Sequence, residues 1–306
     1  MAALEEKRIS AKDFNNVMLL FTRSLWCFYR DFEVYALKVS NMSRLPRIFL
    51  LFLLLTLRSH AADLTEPQRI LFIGNSYTGY NNLPRLVGEI ISGNGNEKPQ
   101  IKSSNPGGRT LENHLSIRET LTLIDEGNWD LVVLQGHSME AAMSEINEVT
   151  RKSFLNSGRA LAERIRKSSP KARIVFYQTW ARHADYWKDP KADRSIGNSP
   201  NEMSERVRTW YDKQQEQCAN SFVAPVGQAW TLFYQAHPKQ AKALHIADNS
   251  HPSYQGSYLA ALVIAHSLNA LDGKKPIGFH GKLTEQQAND LKAIAKKACA
   301  APALKN

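Results

Sequence analysis

Cysteine is scarce: Cys27, Cys218 and Cys299 are the three in 306 residues. None belongs to a Cys-x-x-Cys pair, and no Cys/His set has zinc-finger spacing, which sets aside a zinc-finger-type module. No Lys/Arg-rich run is interleaved with aromatics, so nucleic acid is not suggested as a partner. Internal repeats, low-complexity tracts and interdomain linkers are also missing. The longest apolar run, 48–57, is ten residues. As a helix it reaches about 15 Å, half of a bilayer core of about 30 Å.

What that run does resemble is an export signal. Arg44 and Arg47 precede it, and Arg58 then Ser59-His60-Ala61 follow it. A basic flank, a short apolar core and small residues at −3 and −1 predict a secretory signal peptide over 42–61, with Met42 as its natural start. A buried core helix or an uncleaved anchor are the alternatives. Residues 1–41 then read as a mis-assigned upstream extension, or as a genuine one with a weakly amphipathic helix around 17–26. The expected mature chain is 62–306, a single domain, exported to the periplasm or the medium. It holds 30 Lys/Arg against 24 Asp/Glu, a net of +6, against +10 for the whole chain. That mild excess leaves room only for weak attraction to an anionic surface or polysaccharide. In an exported protein Cys218 and Cys299 are expected to form one disulfide, the alternative being two buried small hydrophobes.

The mature chain alternates short apolar runs with amphipathic stretches. Strands are predicted at 70–73, 100–103, 131–134, 173–177 and 222–226. Helices are predicted at 83–91, 115–124, 148–168, 201–218, 229–236, 253–268 and 284–300, the last opened by a Thr284/Gln287 capping box. This pattern predicts a three-layer α/β/α sandwich with a parallel sheet of about five strands. The stretch 180–200 is long, polar and aromatic, the kind of loop that is usually functional.

Arg69-Ile-Leu-Phe-Ile-Gly-Asn-Ser-Tyr-Thr78 is the most informative segment. A buried strand breaks into Gly74-Asn75-Ser76, putting Ser76 at a strand's carboxyl end, where open α/β sheets place their ligands. Ser76 could be a nucleophile or simply the cap of the next helix. The triplet recurs at Gly197-Asn198-Ser199 with no strand before it, so the triplet alone decides nothing. Two more strand ends offer Gly107-Gly108 and Gln135-Gly136-His137-Ser138. Asp248-Asn-Ser-His251-Pro252 comes late, ahead of a helix. A serine needs a base to become a nucleophile, histidine suits that task, and an aspartate fixes its tautomer. Backbone N–H groups near glycine, with a side-chain amide, can hold an oxyanion. His245, Asp248 and His251 also read as a metal trio, but one segment supplies too few ligands.

Together, Leu-Phe-Ile-Gly-Asn-Ser-Tyr (71–77), Asn-Pro-Gly-Gly-Arg-Thr (105–110), Leu-Val-Val-Leu-Gln-Gly (131–136) and Asp-Asn-Ser-His-Pro (248–252) resemble the SGNH (GDSL-type) hydrolases, in that family's order across about residues 69–270. The resemblance implies a flavodoxin-like fold and ester hydrolysis. It implies Ser76 as nucleophile, His251 as base and Asp248 as its acid partner. Gly108, or less readily Gly107, would supply a backbone oxyanion donor beside the N–H of Ser76. The third block departs from the family: its usual asparagine donor is absent. Gln135 is the expected substitute, while Ser138 holds the literal aligned position. The first block has Asn75 in place of the family's aspartate.

The expected function is an exported serine esterase working through an acyl-enzyme, with no metal or organic cofactor required. An acetylated carbohydrate is the expected substrate class, with Trp180, Arg182, His183 and Trp187 expected to line the cleft. The rivals are a carbohydrate-binding protein on the same fold and an acyltransferase using the same site.

Overall fold

The computed structural model describes residues 68–268 and 277–300. They all belong to one compact unit spanning 65–306. The expected signal peptide and upstream extension lie outside the described residues.

Five strands form one sheet: β1 (Arg69–Ile73), β2 (Gln100–Ser104), β3 (Leu131–Leu134), β4 (Arg173–Tyr177) and β5 (Ser221–Ala224). Every pairing is parallel, and the order is β2-β1-β3-β4-β5. The central strands β1, β3 and β4 are apolar over most of their length because helices cover both faces, while the edge strand β2 (Gln-Ile-Lys-Ser-Ser) is largely polar. Ile70, Phe72, Leu131 and Val133 pack into one layer, and Leu71, Ile73, Val132 and Leu134 into the other. The result is the three-layer α/β/α sandwich that the sequence predicts. With this order the chain switches direction between β1 and β3, so the crevice at their carboxyl ends is the place where the fold opens to a ligand.

The first layer contains α2 (Leu83–Gly93), α8 (Val226–Ala236), α9 (Tyr254–Ser267) and α10 (Glu285–Ala300). The second contains α6 (Glu148–Ser168) and α7 (Pro200–Glu216). Helix α9 is buried over all of 256–265, so it is apolar all round rather than striped. It directly follows the Asp248–His251 turn, which anchors that turn to the deepest helix of the fold.

Three local expectations change. The 115–124 segment is not one helix: a short α3 (Leu111–His114) precedes α4 (Arg118–Asp125). The Thr110 side chain accepts from Asn113 N while Asn113 Oδ1 accepts from Thr110 N, and this capping box starts a turn early. Strand β5 stops at Ala224 because Pro225 has no N–H for the ladder, and Val226 begins α8 instead. Cys218 and Cys299 are both free. They pack into opposite layers, with the sheet between them, so the expected bridge is absent.

Candidate active site

The turn after β1 is closed by Asn75, not by Ser76. Asn75 Oδ1 accepts from Tyr77 N at 3.1 Å and so caps the short α1 (Ser76–Gly79). Its Nδ2 donates to the carbonyls of Arg109 and Gly136, at 2.9 and 3.3 Å. One buried amide thus ties three strand-end loops together and leaves the Ser76 side chain free of capping duty. The triplet at 197–199 does the opposite: there Ser199 is itself the cap, accepting from Glu202 N. Gly74 must be glycine for this packing. A Cβ there would meet Thr78 Oγ1 at 2.4 Å and Gln135 Oε1 at 2.8 Å.

Ser76 Oγ stands 2.9 Å from His251 Nε2. His251 Nδ1 stands 2.5 Å from Asp248 Oδ2. A carboxylate facing Nδ1 requires that nitrogen to carry the proton, which leaves Nε2 as acceptor for the Ser76 hydroxyl. Asp248 and His251 meet through a turn rather than a helical repeat. Asp248 Oδ1 accepts from the backbone N–H of Ser250 and of His251, each at 2.9 Å, and Asn249 takes the left-handed conformation. Burial pushes the Asp248 carboxyl up. Hydrogen bonds from the His251 side chain and from both backbone N–H groups outweigh that and hold it below its ordinary value, so it is ionised at neutral pH. The Tyr80 ring stacks on His251 with centroids 4.5 Å apart, and Tyr77 meets it edge-on at 5.4 Å.

Gly108 is exposed, with a φ of +70° and nothing within 4 Å of where a Cβ would sit. Its N–H donates to no partner among the described residues. The loop is held from below by His114, which is fully buried. His114 Nε2 donates to the Gly74 carbonyl at 2.8 Å and Nδ1 accepts from Thr120 Oγ1 at 2.7 Å. The second strand-end loop is therefore fastened to the first by a side chain that sequence inspection passed over.

Gln135 is not an oxyanion donor in this geometry. Its backbone N–H extends the ladder by one residue, to the Ile73 carbonyl at 2.9 Å, and its side chain turns inward and is fully buried. Oε1 accepts from Asn75 N at 3.0 Å and from Thr78 Oγ1 at 2.9 Å, and Nε2 donates to the Gly136 carbonyl. The amide shapes the turn that carries Ser76 and, being fully buried, is not presented to a substrate.

Of the residues expected to line the cleft, two lie beneath it. Trp180 is 0% exposed, sandwiched between Tyr77 at 4.5 Å and Trp230 at 3.9 Å. Each stacked pair contributes about 0.5–1.5 kcal/mol beyond its buried area, so Trp180 is the floor of the site and not a sugar platform. Arg182 is 7% exposed and its guanidinium is spent on hydroxyls, donating to Tyr77 Oη, to Ser250 Oγ and, at 3.0 Å, to Ser138 Oγ. His183 is partly buried; its backbone N–H donates to the Asn249 carbonyl beside the Asp248 turn. Trp187 is partly buried, and its Nε1 donates to the Gly197 carbonyl at 2.9 Å, closing the 184–197 segment on itself.

Glu140 opens the short α5 (Glu140–Met143), and its Oε2 accepts from His137 N at 3.2 Å, holding the loop after β3. Burial and the Glu112 carboxylate push its carboxyl up, the His137 N–H pulls it back, and the outcome is about 7. A folded-state value above the free 4.5 means stability that is present below about 4.5 and lost as pH rises through about 7. Glu140→Gln keeps the acceptor and removes the titration. It is expected to gain on the order of 1–2 kcal/mol over the wild type between about pH 5 and about pH 8, read from urea midpoints. Parallel pH profiles for the two proteins would contradict this.

No family model matches the sequence, and no curated protein matches it. Solved structures do. A DUF4886 family protein from Bacteroides uniformis superposes with a TM-score of 0.60 at 17% identity, over 75% of this chain and 93% of its own. A lipase/acylhydrolase from Enterococcus faecalis superposes with a TM-score of 0.50 at 17% identity, over 70% of this chain and 100% of its own. An acetylxylan esterase from Geobacillus stearothermophilus superposes less closely, with a TM-score of 0.47 at 16% identity, over 66% of this chain and 94% of its own. The chain therefore shares the α/β/α fold of the Enterococcus lipase/acylhydrolase.

Proposed function

We propose that this protein is an exported serine esterase that cleaves carboxylic esters through an acyl-enzyme on Ser76. The observation that carries this reading is the run of contacts from Ser76 Oγ to His251 Nε2 at 2.9 Å and from His251 Nδ1 to Asp248 Oδ2 at 2.5 Å. Ser76 Oγ attacks the ester carbonyl as His251 Nε2 takes its proton, and the carbonyl electron pair moves onto oxygen. The N–H groups of Ser76 and Gly108 hold that oxyanion. The tetrahedral intermediate collapses, the C–O bond to the alcohol breaks, and His251 returns the proton to the leaving oxygen. Water then repeats the sequence on the acyl-enzyme and releases the acid. Asp248 keeps His251 in the required tautomer throughout.

An acetyl ester on a carbohydrate is the substrate class we favour. Expected export and a mildly basic mature chain suit a polysaccharide, and Tyr80, partly exposed beside His251, offers a ring at the mouth. An acyltransferase would use the same steps with a sugar hydroxyl in place of water. A carbohydrate-binding protein without turnover would have no use for a hydroxyl, an imidazole and a carboxylate in one hydrogen-bonded line.

The test is hydrolysis of p-nitrophenyl acetate by the full chain and by Ser76→Ala. Turnover that disappears in the variant supports the esterase. Equal rates in the two proteins, or none in the wild type, overturn it.

A further inference from the structure

A buried charge is costly unless an opposite charge compensates it. Arg182 is 93% buried by its 7% exposure, yet no Asp or Glu oxygen comes within 4.0 Å of its guanidinium among the described residues. Its three partners are neutral hydroxyls, and their positions are telling. Tyr77 follows Ser76 directly. Ser250 precedes His251 directly. Ser138 lies on the loop after β3, which Asn75 ties to the Ser76 turn through Gly136. Tyr77 Oη and Ser250 Oγ are themselves 2.9 Å apart. One planar fork therefore grips the neighbour of the proposed nucleophile, the neighbour of the proposed base and the third strand-end loop. Arginine, with five donors in a fixed geometry, can do this where lysine offers a single point charge.

We propose that Arg182 is a positioning residue of the acyl-transfer site, which holds the Ser76 turn, the His251 turn and the loop after β3 in register through the hydroxyls of Tyr77, Ser250 and Ser138. This rests on the esterase reading. Ser138 transmits part of the effect: with Arg182 Nη2 donating to its Oγ, its hydroxyl is polarised and tethered beside the crevice, in the block where the expected amide donor is missing. A residue retained for the fold should stabilise it. A residue retained for the reaction at the expense of the fold should not.

The experiment measures kcat, KM and the thermal midpoint for the wild type, Arg182→Met and Arg182→Lys with p-nitrophenyl acetate. Arg182→Met is expected to lose about 10²-fold in kcat with KM within about threefold, while its thermal midpoint stays level or rises. Arg182→Lys, which restores the charge but not the fork, is expected to recover about a tenfold share of that loss. A kcat within threefold of the wild type in Arg182→Met overturns the proposal. So does a chain that unfolds or melts lower without recovery in Arg182→Lys, because the arginine then serves the fold. Absence of turnover in the wild type overturns the esterase reading and this inference with it. A turning-over wild type with an indifferent Arg182→Met overturns this inference alone.

Discussion

Replacing Ser76 with alanine is expected to lower kcat on p-nitrophenyl acetate by about 10⁴–10⁶-fold, with KM changed only a few-fold. The size follows from the role: without the hydroxyl no acyl-enzyme forms, and only the donors at the oxyanion position remain to act on attacking water. The structure makes the substitution clean. Ser76 sits inside the first turn of α1, whose cap is Asn75, and its hydroxyl bonds to His251 rather than to backbone. A thermal midpoint near that of the wild type is therefore expected, so lost activity is not lost fold. A variant retaining a tenth or more of the rate would remove Ser76 from the nucleophile's place.

Asp248→Asn is expected to lower kcat by about 10⁴-fold, the effect known when such a partner is replaced by its amide. The isostere preserves the turn, because the asparagine oxygen can still accept from Ser250 N and His251 N as Oδ1 does now. What changes is the atom facing His251 Nδ1. An amide NH₂ there donates, so the imidazole must present Nδ1 as acceptor and carry its proton on Nε2. Nε2 can then no longer take the proton of Ser76 at 2.9 Å. Labelling of the full chain by a fluorophosphonate should slow in step with kcat, since both need the same proton transfer. A loss smaller than tenfold in kcat would mean that Asp248 only builds the turn.

The fold was legible because its signals are local. Apolar runs such as Ile70–Ile73 and Leu131–Leu134 read directly as strands buried on both faces, and their spacing by helices implies parallel pairing. Ser76, Asp248 and His251 were legible only from strand context taken together with the ordered four-block resemblance, and the structure brings their side chains into one hydrogen-bonded line. The direction of a side chain at a strand end was not legible. Gln135 could point into the crevice or beneath it, and it points beneath because its backbone adds one rung to the ladder before the loop turns away. Trp180 and Arg182 misled for a different reason. Their segment is polar and aromatic, which suggests surface, yet partners about 70 to 105 positions away in sequence draw both residues inside. Local composition carries no trace of such partners. The same holds for His114, whose link to the Gly74 carbonyl spans 40 positions.

The central claim is that Ser76, activated by His251 and Asp248, is the nucleophile. The most direct measurement is to treat the full chain with a fluorophosphonate, digest it and locate the adduct by mass spectrometry. A single adduct on Ser76, formed by the wild type and lost in His251→Ala, is the predicted result. An adduct on another residue, or none at all, would contradict the account.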